Sequence, residues 1–214
     1  MRFHAHRRLL RVGSTLAAVF AVAACTSLAT QPPAAPPALA GEWQQDAKAS
    51  EDFERKLVPL LATQRDRMRP RHGSFNVAGS RGASGAQELE PLVMPPEEPD
   101  KVRARLAGEL RPPAKLRIAL VGDTVELTGD ADPVRHFLPG QSVSRIDGTG
   151  AASLVSGWDG RAFVVRARYT DRGSRSWRYE VEPSSGLLRL SFEADDPEFG
   201  KFALQTRYRR ATGD

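Results

Sequence analysis

Beyond the N-terminal region the chain has two histidines, His72 and His136. They stand at no metal-ligand spacing, and no nearby cysteine can complete a site. Two short loops cluster carboxylates: Asp130-Ala131-Asp132-Pro133 and Asp195-Asp196-Pro197-Glu198. Clustered carboxylates suit calcium, and a carboxylate pair suits glycoside hydrolysis. Neither loop has the glycine placement of a calcium loop, and adjacent acids point to different sides of the chain. Asp before Pro starts turns, so turn chemistry is the expectation for both. No Gly-x-Ser-x-Gly elbow occurs. Gly79-Ser80-Arg81-Gly82 lacks the Gly-Lys-Ser/Thr of a phosphate loop. No catalytic residue, metal or cofactor is assigned. A hydrolase using His136, a serine and an acid is a remote alternative.

The remaining reactive residue is Cys25, the single cysteine. Arg2, Arg7, Arg8 and Arg11 precede it without a counter-charge, followed by a small, apolar run from Val12 to Ala21. That run is shorter than the roughly 20 residues a membrane-spanning helix needs. A basic start, a short apolar middle and small residues before a cleavage point describe a secretory signal peptide over residues 1–24. Arg7-Arg8 permits a twin-arginine route, but the flanking residues fit the general route better. Val22-Ala23-Ala24-Cys25 resembles the lipobox of bacterial lipoproteins. The resemblance implies acylation (palmitate among the chains) at Cys25 and contact with the lipoprotein processing and sorting machinery. Thr26 after the cysteine implies the outer membrane, facing the periplasm. Several acyl chains give a stable anchor.

Composition limits the partners. The net charge is +5, and the four arginines of residues 1–24 account for most of it, leaving +1. No single-sign field remains to attract a polyanion, so nucleic acid is not expected. One cysteine excludes an intramolecular disulfide.

The elements follow in order. Residues 25–40 are small, Pro-rich and uncharged, and read as an extended tether. A single β-rich domain is expected over residues 41–214. Gly41-Glu42-Trp43 resembles the opening strand of lipocalin-like proteins, with Trp43 as a plug at one end. Residues 50–69 read as a helix: Ser50 as cap, Glu51 and Asp52 in the first turn, and Phe53, Leu57, Leu60 and Leu61 at helical spacing. Pro59 should kink or split it. Residues 71–98 are a long Gly- and Pro-rich insert, expected to be flexible. A short helix over 100–110 places Val102, Leu106 and Leu110 on one face.

From Lys115 to Arg210 the period changes to two, with turn signals between the runs. Roughly eight antiparallel strands are expected, mainly β, curled into a small barrel or half-barrel. One face collects Phe163, Tyr169, Trp177, Tyr179, Phe192, Phe202 and Tyr208. The other carries Arg178, Glu180, Glu182, Arg189 and Arg207. A four-residue loop over Pro183–Gly186 sets a register: Trp177 opposite Phe192, Tyr179 opposite Leu190, Glu180 opposite Arg189. This pattern resembles a group of bacterial envelope proteins with lipocalin-like meanders.

Two functions follow. The first is a lipid-anchored envelope protein with a non-catalytic binding or interaction role. The second is a carrier that holds a small apolar ligand or lipid in a cup formed by the seven aromatic residues. Against the second stands the expectation that these rings fill a solid core, as side chains usually do in small barrels.

Overall fold

In a computed structural model of the chain, residues 27–33, 38–68, 98–130, 132–147 and 150–211 are described. Cys25, the signal peptide and almost all of the 71–98 insert lie outside the described residues. β1 (Gly41–Gln45) is followed by α1 (Phe53–Met68) and α2 (Pro99–Leu110). Then come β2 (Lys115–Val121), β3 (Thr124–Gly129), β4 (Arg135–Phe137), β5 (Ser142–Asp147) and β6 (Gly150–Asp159). β7 (Ala162–Tyr169), β8 (Ser174–Val181), β9 (Leu188–Asp196) and β10 (Gly200–Arg210) complete the chain. All ten strands form one antiparallel sheet, in the order β4-β3-β2-β1-β10-β9-β8-β7-β6-β5. The strand count exceeds the expected eight because short strands such as the three-residue β4 carry too little alternation to count from sequence.

From β2 to β10 each strand pairs with the next in sequence except β4 and β5, which form the two edges, and β1 bridges β2 and β10. The sheet curls into a half-barrel with a seam between β4 and β5. Alternation drives the curl, since one face is apolar and must be covered while the other bears charge. The expected register holds, with Trp177 opposite Phe192, Tyr179 opposite Leu190 and Glu180 opposite Arg189. Arg189 Nη2 donates to Glu180 Oε2 at 2.7 Å on the wet face.

The hairpins define two ends. The β6–β7 and β8–β9 turns lie at one end, and the β7–β8 and β9–β10 turns lie at the other. Leu39, Trp43, Trp158, Phe163 and Tyr208, each under 4% exposed, pack together toward the first end. Trp43 Nε1 donates to the Leu39 carbonyl at 2.9 Å, so the plug expected of Trp43 is closed by its own upstream chain.

That upstream chain departs from the tether expected over residues 25–40. Ala29 forms a two-way backbone bridge to Trp158, each bond 2.8 Å, beyond the end of β5. Gly157 permits it: a Cβ there would stand 2.7 Å from Leu28 Cβ and 2.8 Å from the Ala29 carbonyl. A Pro-rich stretch still satisfies backbone groups when a strand edge is free to take them.

The helix pair covers the second end. Leu57, Leu60, Val102, Leu106 and Leu110 pack on Phe192, Phe202 and Leu204. Val102, Leu106 and Leu110 share a buried face as expected. The cap of α1 is Asp52, whose Oδ1 accepts from the Arg55 amide at 3.2 Å. Ser50, expected there, instead donates to the Asp46 carbonyl and accepts from the Arg207 amide, fastening the helix approach to β10. Nor does Pro59 split α1, which runs unbroken through it. Pro59 is on the exposed side of the helix, where the carbonyl that loses its helical donor is open to solvent. Among the described residues no helix is long and apolar enough to cross a membrane.

Candidate functional site

Between the inner face of the sheet and α2 lies a cavity of about 510 Å³. Its walls come from β2, β3, β4, β5, β6, β7, β8 and β9, and α2 with the Pro112-Pro113 link covers it. The size lies within the range of small-molecule sites.

The seven aromatic residues expected to form a cup divide. Tyr169, Trp177, Tyr179 and Phe192 line the cavity. Phe163 does not; it sits in the closed end against Trp158 (centroids 5.3 Å) and Phe137 (6.2 Å). Tyr208 is fully buried, and its hydroxyl donates to the Pro113 carbonyl at 2.9 Å. Phe202 lies beneath α1, edge-on to Phe53 at 6.3 Å. The solid core expected for all seven therefore describes three of them. Nearer the second end the helix pair covers the inner face without filling it and leaves space.

Sequence reasoning missed the polar part of this cavity. Arg135, Arg145 and Arg175 all line it, with Asp132 and Glu109. The signal was the same alternation that found the rings. Arg175 is two residues before Trp177, and Arg135 two before Phe137, so each shares its neighbour's inward face. Arg175 is 4% exposed. Its Nη2 donates to Glu109 Oε2 at 2.9 Å, and its guanidinium lies over the Tyr169 ring, 4.9 Å from the centroid. Glu109, near the end of α2, also meets Arg172 at 3.1 Å and Arg105 at 3.8 Å. Arg135 pairs with Asp132 at 3.4 Å. Burial pushes the Tyr179 phenol well above its ordinary value, with Arg135 pulling it down and Asp132 pushing it up.

The candidates for catalysis lie elsewhere. His136 is on the outer face, its Nδ1 3.2 Å from Glu126, and neither residue lines the cavity. Asp130 accepts the Ala114 and Lys115 amides at 2.6 and 2.7 Å. Asp196 accepts the Glu198 amide at 2.7 Å. Asp196 is thus the turn former expected of an Asp before Pro, whereas Asp130 fastens the entry to β2 instead of a local turn. Among the described residues no three His, Cys, Asp or Glu side chains gather to hold a metal.

Fold and cavity together define a mainly β half-barrel with a helix-covered interior. No protein-family model matches the chain, and no curated protein is significantly similar to it. Among solved structures, it is similar to zebrafish ileal bile acid-binding protein complexed with cholic acid. The TM-score is 0.43 at 13% identity, covering 80% of this chain and 98% of that one.

Proposed function

We propose that this chain binds and carries a small, largely apolar ligand inside the half-barrel, as a lipid-anchored protein of the bacterial cell envelope. The interior cavity carries the reading. It is walled by Trp177, Tyr179, Phe192, Leu154 and Leu190, and α2 covers it. Concave, mostly apolar sites with a few polar groups are where small ligands bind. On the outer face several charges are paired with each other, Arg178 with Asp159, Arg189 with Glu180 and Arg207 with Glu182, beside an open groove lined by Val155, Arg166, Arg168, Glu193 and Lys201.

Anchoring rests on the lipobox residues Val22 to Cys25. The docked segment changes what the anchor does. Ser27 already stands beside the sheet, and two extended residues span at most about 7 Å. A lipidated Cys25 thus holds the domain near the bilayer surface instead of lifting it away, which suits uptake of a ligand from the membrane.

Native mass spectrometry of the exported Cys25→Ser chain tests the carrier reading. The expected spectrum shows an adduct that vanishes on denaturation and is absent from Leu154→Trp, which fills the cavity. A bare mass, together with failure to take up dodecanol, overturns it. Membrane fractionation tests the anchor: Cys25→Ser should move the protein to the soluble fraction, and retention in the membrane refutes lipidation.

A further inference from the structure

At the mouth of the cavity, positive charge is oversupplied and poorly satisfied. Arg175 Nε and Arg135 Nε are both buried without a hydrogen-bond acceptor. A buried N–H without an acceptor is unfavourable, so each is a place where an incoming acceptor would be bound. Arg145 lines the same cavity, and among the described residues no ion pair or hydrogen bond engages its side chain. The lining arginines Arg105 and Arg111 are met by Glu198 and Glu54. The single carboxylate of Glu109 is shared among Arg105, Arg172 and Arg175.

We propose that the cavity takes an amphipath with an oxyanionic head, a carboxylate or phosphate, and that this head displaces Glu109 from Arg175. The proposal rests on the carrier reading and adds the head group and its internal competitor. Glu109 is the present occupant of the position an anionic head would take. Arg175 Nη2 is spent on it, and Arg175 Nε is shielded from solvent. A guanidinium offers its best geometry when two parallel N–H groups meet two oxygens, which a ligand head supplies once Glu109 leaves. Leaving strands no charge, because Arg172 and Arg105 still hold Glu109. Arg145 then becomes a second cation for the head, and Trp177 and Phe192 receive the tail. Glu109 belongs to the last turn of α2, so the exchange also unties the cover from β8.

Calorimetric titration of the Cys25→Ser chain with dodecanoate, dodecyl phosphate and dodecanol tests this. Both anions should bind more tightly than the alcohol, and the tighter of the two identifies the head. Glu109→Gln removes the competitor and should tighten the anions by about tenfold, leaving dodecanol unchanged. Arg175→Gln and Arg145→Gln should each weaken the anions and spare dodecanol. If dodecanol binds but Glu109→Gln leaves the anions unchanged or weaker, the displacement is wrong and the carrier reading survives. If no probe binds, the carrier reading itself falls.

Discussion

Around Phe163 the inner face of the sheet is filled, and around Trp177 it is not. Both residues sit on inward positions of adjacent strands, with Phe163 opposite Tyr179 and Val165 opposite Trp177. What differs is the cover. At the Phe163 end the chain closes itself with Leu39, Trp43 and Trp158, bulky side chains that reach into the space. At the Trp177 end the cover is a helix pair, whose side chains pack on β9 and β10 and leave the middle open. The same alternation thus yields a core at one end and a binding volume at the other. An inward position is a requirement to be covered, and the covering element decides whether it is packed.

The largest test of this contrast compares two tryptophans. Trp43 is 1% exposed within the closed end. Trp43→Ala should cost about 3–5 kcal/mol, the range for large aromatic truncations in a packed core. Trp177 is half-buried and faces the cavity, so Trp177→Ala should cost less than half as much while weakening ligand uptake. Urea unfolding of both variants decides the matter. Equal losses would show that the Trp177 end is as tightly packed as the other.

A subtler pair uses one atom. Tyr208→Phe leaves the Pro113 carbonyl without its donor and should cost about 1–3 kcal/mol. Tyr179→Phe removes a hydroxyl that has no hydrogen-bond partner among the described residues, and stability should hardly change. Burial raises both phenols above their ordinary value, with Tyr179 and Asp130 adding to the rise at Tyr208. A raised folded value means the native state holds its proton more tightly than the unfolded chain. The stability these residues contribute is therefore complete below pH about 10 and lost as the pH climbs above it. Unfolding midpoints and tyrosinate absorbance, followed together above neutrality, should show both phenols ionising only as the protein unfolds. Early ionisation of Tyr179 with the fold intact would mean the cavity is wetter than its walls imply.

How far the sequence reaches follows the same division. Strand register was legible because charge and aromatic pairing agreed across one short loop, from Glu180 and Arg189 to Trp177 and Phe192. The helices were legible from spacing, and their detail was not. Ser50 and Asp52 both have capping chemistry, and the choice was made by Arg207 on a strand more than 150 residues away. The inward arginines were within reach of the alternation rule. They were passed over because a charged residue at an inward position contradicts the pattern until its partner is known, and for Arg175 that partner, Glu109, is on α2. The docking of Ala29 on Trp158 left no trace in the Pro-rich composition, since it depends on a bare strand edge and on Gly157.

The smallest effect concerns the face that both ends share. Glu180 and Arg189 pair across β8 and β9 at 2.7 Å, each partly exposed. Cross-strand opposite charges contribute about 0.2–1 kcal/mol, less when solvent screens them. A double-mutant cycle with Glu180→Gln and Arg189→Gln should return a coupling within that range, shrinking with added salt. Arg178 and Glu182 also approach this pair, at 3.7 and 4.0 Å, so the cycle measures a node in a short ladder. Ligand addition should leave the coupling unchanged, because the ladder lies on the opposite side of the sheet from the cavity. A coupling that shifts with ligand would mean the strands move as the cavity fills, and that the helix cover is not the only part that yields.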